Sequence, residues 1–164
     1  MGTRRICRGM SWDVLLMRLP PGVHHLAKLP PAYAPPSLGA RTDVAVRLGA
    51  LSGFELLDPA FGVLRDEDFV IEIGLGHALQ VDHLVLHVSG SPLVLDVVRD
   101  IAGIFEAQAI DCEDDTVLDF DEPSSRRGLE RWQARVERSV DAELQKQKAI
   151  ALGVVFPIKG SRQH

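Results

Sequence analysis

Two groups of residues in this chain have the types and spacing to do chemistry. The first is Asp111 to Glu122, DCEDDTVLDFDE. Seven of its twelve residues carry a carboxylate: Asp111, Glu113, Asp114, Asp115, Asp119, Asp121 and Glu122. Carboxylates at such density can hold a hard cation or present a concentrated negative field to a basic partner. The second group is Glu72, His83 and His87, on the more polar positions of two segments that alternate in hydrophobicity. Neighbours across paired strands stand about 4.5 to 5.5 Å apart, close enough for a metal site or an acid/base pair.

Each group has a plainer reading beside it. The acidic stretch overlays on the calcium loop of an EF-hand, with oxygen ligands at Asp111, Glu113, Asp115, Asp119 and Glu122 and an apolar Leu118. The overlay then fails, because Thr116 stands where the sharp turn needs glycine and Pro123 where the exiting helix should begin. The segment therefore reads as a hairpin with an acidic tip, which either attracts a basic patch on another protein or is simply solvated. Glu72, His83 and His87 read equally as a half-solvated sheet face. Gly74-Leu75-Gly76 is too short for a dinucleotide fingerprint and lacks a following helix. His24-His25 has no spaced third ligand, and there is no GxSxG, P-loop or HExxH pattern. No catalytic, cofactor-binding or metal-ligating residue is assigned, and no cofactor is expected.

The elements that must position these groups follow from periodicity. Phe69, Ile71, Ile73 and Leu75, then Leu84, Leu86 and Val88, recur at every second position and predict two strands joined through Gly76 to Asp82. Ser11 to Leu19 predicts a central strand buried on both faces, and Phe61 to Leu64 a short strand that completes an antiparallel meander. Six prolines make Pro20 to Pro36 a surface loop, with one helical turn at most between His24 and Leu29. Val44, Leu48 and Leu51 sit at helical spacing in Leu38 to Leu51, capped by Thr42 or Asp43 and ended by Gly53. Ser91 as N-cap with Pro92 at the first turn opens a second helix bearing Leu93, Val94, Val97, Val98, Ile101 and Phe105. Ala107 to Asp111 and Thr116 to Phe120 predict two short strands around Glu113-Asp114-Asp115. Arg126 to Ile150 predicts a long polar helix with a narrow stripe of Leu129, Trp132, Val136, Val140 and Leu144. The apolar Ala151 to Ile158 is expected either to add a strand or to dock in a groove.

Length and composition bound the rest. A chain of 164 residues, 46% hydrophobic and 25% charged, suits one globular domain over residues 10–150, flanked by an extension at 1–9 and a tail at 151–164. The extension reads as disordered or as a misassigned start ahead of Met10, with a basic arm as the rival. A net charge of −5 argues against nucleic-acid binding, which requires a basic face. Cys7 and Cys112 have no metal or disulfide spacing and fit a reducing cytoplasm. No signal peptide is read, and no run reaches the roughly 18 to 20 apolar residues that span a bilayer.

SWDV, DPAFGVLRDEDFVIEIGLG, LVLHVSG and AQAIDCEDDTVLDF resemble, in that order, small uncharacterised bacterial cytosolic proteins, some of immunity-protein type. The likeness covers Ser11 to Trp132. It implies a non-enzymatic protein that neutralises a secreted toxin by occluding an active site, often a basic one, and it transfers no catalytic residue. The expectation is thus a single α+β domain: a mostly antiparallel sheet of five or six strands with helices packed on one face. Its expected function is protein binding through Asp111, Glu113, Asp114, Asp115, Asp119, Asp121 and Glu122, toward a basic toxin domain. The alternatives are a small metal-dependent enzyme using Glu72, His83 and His87, and a structural subunit that homodimerises through Trp132, Val136 and Val140.

Overall fold

The computed structural model describes residues 11–123 and 126–153. The expected N-terminal extension and the segment from 154 onward, including most of the apolar Ala151 to Ile158 stretch, lie outside the described residues.

At the centre is β1 (Trp12–Met17), in which Trp12 and Val14 to Met17 are all buried. It is buried on both faces because it has a strand on either side and a cover above and below. On one side β7 (His83–Gly90) pairs with it antiparallel from Trp12↔Val88 to Met17↔His83. On the other, β8 (Gln108–Asp111) pairs from Val14↔Asp111 to Met17↔Gln108. Four further strands complete the sheet: β3 (Phe54–Asp58), β4 (Phe61–Arg65), β5 (Phe69–Gly74) and β9 (Thr116–Val117). The spatial order is β3-β4-β5-β7-β1-β8-β9, with every pair antiparallel.

The fold is α+β, as expected, but the sheet is wider than five or six strands. The addition is β3, which lies at the edge with only Phe54 partly covered. An exposed edge strand needs no apolar alternation, so FELLD carried no periodic mark. The meander of β4, β5 and β7 forms as expected, with Ile71, Ile73, Leu84, Leu86 and Val88 fully buried on one face. Within the β5–β7 connection, β6 (Gln80–Val81) pairs with β2 (Gly39–Ala40) in a separate two-stranded sheet.

Three helices cover the face that holds Trp12, Val14 and Leu16. α1 (Arg41–Gly49) buries Val44 and Leu48, and α2 (Val94–Ile104) buries Val94, Leu95, Val98, Ile101 and Ala102. α3 (Arg126–Ala151) contributes Leu129 and Trp132 to the same core. Neither of the expected side-chain caps forms. Ala40 precedes α1 without a side-chain cap, and α2 starts at Val94, behind Leu93. Ser91 is held as a continuation of the sheet by its N–H bond to the Asp68 carbonyl (2.9 Å), so its carbonyl, not its hydroxyl, accepts from Val94. The Ser91 hydroxyl is buried without a hydrogen bond. Gly90 makes this junction possible: its φ is +126°, and a Cβ there would fall 2.3 Å from the Asp68 oxygen.

The proline-rich loop covers part of the opposite face. Val23, Leu26, Leu29 and Tyr33 pack against Leu15, Met17, Leu19 and Ile110, and the loop's single 3-10 turn is Leu26–Lys28. The Tyr33 hydroxyl donates to the Arg18 carbonyl at 2.8 Å, and the Arg18 guanidinium donates to the carbonyls of Phe105 and Ser37. None of the described helices is long and apolar enough to cross a membrane.

Candidate functional site

Asp111 ends β8, and its pairing with Val14 points its side chain into the helix-covered face. There it is 2% exposed, the one buried charged residue among those described. A carboxylate in that position needs donors and a cation to remain ionised. The Glu113 N–H supplies a 2.9 Å hydrogen bond and Arg131, from α3, an ion pair at 3.3 Å. The indole N–H of Trp12 lies beside the carboxylate without reaching a full hydrogen bond. Burial nevertheless dominates and raises the Asp111 pKa, against the lowering effect of the Glu113 N–H, Trp12 and Arg131.

The turn after β8 is shaped by its own carboxylates. The Asp115 N–H returns to the Asp111 carbonyl at 2.9 Å, and Asp115 adopts a left-handed φ of +59°. Asp114 Oδ1 accepts from both the N–H and the hydroxyl of Thr116. Partial burial of Asp114 works to raise its pKa, but the Thr116 bonds and the Arg131 charge outweigh it and the net direction is down. The Leu26 N–H donates to the Asp115 carbonyl, and the Val117 N–H to the His24 carbonyl, tying the turn to the proline-rich loop.

Two arginines of α3 close over this turn. Arg131 contacts Asp111 and Asp114, each at 3.3 Å, and Glu113 at 3.8 Å, while Arg135 reaches Glu113 at 3.1 Å. Their separation of four residues sets both guanidinium groups on one side of the helix. Shallow clefts open on either side of Asp111. One of about 210 Å³ lies between Asp114, Thr116, Arg127 and Arg131, and another of about 230 Å³ between Ser11, Asp13, Cys112 and Arg135.

The seven acidic residues read from the sequence thus fall into two sets. Asp111, Glu113 and Asp114 face α3 and are engaged by its arginines. Asp115, Asp119, Asp121 and Glu122 are exposed, and Asp119 Oδ1 accepts the Asp121 N–H at 3.1 Å. The segment is a hairpin turn between β8 and β9. Among the described residues no group of three or more His, Cys, Asp and Glu side chains could hold a metal ion.

The sheet's other face carries the second group. Glu72 and His87 are direct register partners, and His87 also has Asp13 beside it, whose Oδ1 lies 2.7 Å from Nδ1 and also accepts from the Ser11 hydroxyl. His83 is four residues along the strand, about 13 Å away at strand rise, and pairs with Asp82 instead. The sheet thus brings Glu72 and His87 side by side and sets His83 apart from them. The helix stripe expected to mediate a homodimer is also largely committed: Trp132 is buried in the core and Val136 packs against it.

Sequence reasoning missed Asp13, Arg131 and Arg135. The arginines had a signal in Arg127, Arg131 and Arg135, spaced by four beside the apolar stripe of α3. Asp13 had none, since nothing local shows that β1 lies next to β7. Comparison of the whole chain with family models, curated proteins and solved structures returns no match.

Proposed function

We propose that this chain is a protein-binding module of the immunity type, acting in the cytoplasm on a secreted toxin domain that presents a basic surface. The observation that supports it is the division of the acidic turn. Asp111, Glu113 and Asp114 are engaged by Arg131 and Arg135 and fix the turn against α3, while Asp115, Asp121 and Glu122 form an exposed rim on a preformed scaffold. A rigid rim of one sign speeds encounter and selects an oppositely charged partner without a large ordering cost. The test uses the toxin domain encoded by the adjacent gene. Calorimetric titration should give binding that weakens steeply with added salt and inhibition of the toxin's activity. A metabolic gene in that position, or binding indifferent to salt, contradicts the reading.

A further inference from the structure

Asp13, His87 and Glu72 stand in one row across three neighbouring strands. The register sets Asp13 of β1 against His87 of β7, and His87 against Glu72 of β5, on the face turned away from the helices. The Asp13 carbonyl accepts from the Cys112 N–H on its other side. Asp13 and His87 are therefore a non-hydrogen-bonded pair, the kind in which opposing side chains approach most closely. The imidazole makes use of that approach, with Nδ1 2.7 Å from Asp13 Oδ1. Directly opposite Cβ atoms stand about 4.5 to 5.5 Å apart, so the Glu72 carboxylate is in electrostatic range from the other side.

Uneven burial sets the direction of the effect. The Asp13 side chain is 15% exposed and that of His87 40%. An imidazole this open to water loses little hydration on becoming charged, whereas a largely buried carboxylate gains most from a cation at hydrogen-bond distance. The Ser11 hydroxyl donates to the same Asp13 oxygen at 2.8 Å and favours its ionised form. The other charged groups around the row are further off or engaged. Glu113 and Arg135, across the cleft that borders Asp13, pair with each other at 3.1 Å. His83, four residues along β7, pairs with Asp82. Arg65 of β4 stands one strand beyond Glu72, and the proline-rich loop packs on this face through Val23, Leu26, Leu29 and Tyr33.

We propose that His87 carries a proton at neutral pH and acts as a pH-sensitive clasp: an imidazolium held by Asp13, with Glu72 adding to the field, that ties β7 to β1 and β5 and loosens when the proton leaves. An imidazole that holds its proton more tightly in the folded chain than in the unfolded one contributes its full stability below the ordinary value of about 6.5. That contribution is lost as pH rises through the higher folded value.

Two-dimensional NMR of the full chain tests this through the imidazole Cε1–H signals of its six histidines, the His87 signal being assigned by its absence from His87→Gln. The wild-type His87 midpoint is expected above about 7, against about 6.5 for an ordinary imidazole. Asp13→Asn should lower it by on the order of one unit, and Glu72→Gln by less, because Glu72 is exposed. Urea unfolding should show the stability of wild type relative to His87→Gln falling between about pH 6 and about pH 9. A wild-type midpoint at or below about 7 overturns the proposal whether or not any variant folds. A midpoint unmoved in folded Asp13→Asn, or a stability difference that grows with pH, overturns it as well.

Discussion

Gly128 of α3 stands so close to Asp111 of β8 that a Cβ at position 128 would fall 1.9 Å from Asp111 Oδ2, and 2.8 Å from the indole nitrogen of Trp12. Helix, turn and central strand meet at this point. Glycine is needed there because of the approach, not because of its backbone angles, since position 128 is in regular helix.

Gly128→Ala therefore sets two effects against each other. Alanine favours helix by about 1 kcal/mol over glycine, whereas forcing a methyl into an occupied site costs about 1 to 3 kcal/mol or more. The clash is with a buried, ion-paired carboxylate and an indole, neither the end of a flexible chain, so the unfavourable effect should win. Chemical denaturation should show the variant about 1 kcal/mol or more less stable than wild type. A stabilised variant would mean that α3 does not dock as described.

Among the described residues Arg131 is the only cation reaching both Asp111 and Asp114, each at 3.3 Å. Removing one partner of a fully buried pair costs about 3 to 5 kcal/mol, but the guanidinium is 44% exposed. Arg131→Ala is expected to cost about 2 kcal/mol after that discount. In an Asp111→Asn background the loss should shrink, giving a coupling energy of about 1 kcal/mol or more in a double-mutant cycle. Strict additivity would show that the pair contributes nothing.

The two perturbed carboxylates act on stability with opposite signs. Asp111 ionises at the ordinary pKa of 3.8 when unfolded and higher when folded, so its contribution to stability falls as pH rises through that window and recovers on acidification. Asp114 has a folded pKa below 3.8, so its contribution is present above that value and lost as pH falls through the folded pKa. Asp111→Asn removes only the first effect. Wild type should therefore lose stability relative to Asp111→Asn as pH rises from acid to neutral, measured by urea unfolding at a series of pH values. The reverse trend would place the Asp111 pKa below its ordinary value.

How far the sequence was legible follows from which interactions are local. Ile71, Ile73, Leu84, Leu86 and Val88 alternate because each strand turns the same face to the helices, so the central hairpin could be read directly. The same holds for the 3.6-residue rhythm of α2. Phe54–Asp58 escaped because an exposed edge strand has no face to bury. The site was half legible: the acidic turn is a local feature, but its division into engaged and exposed carboxylates depends on Arg131 and Arg135 arriving from α3. The Asp13–His87 pair likewise depends on β1 lying beside β7, a contact between residues 74 apart.

On the proposed function the inner carboxylates hold the fold and the outer ones meet a partner. The most direct measurement compares reversal of two outer residues, Asp121 and Glu122 to Lys, with Glu113→Lys/Asp114→Lys, recording thermal stability and affinity for the proposed basic toxin domain. The outer variant should keep its melting temperature within about 2 °C, since surface changes are mostly worth under about 0.5 kcal/mol, and lose at least tenfold in affinity. The inner variant should lose several degrees of melting temperature. An outer variant that binds as tightly as wild type would contradict the account.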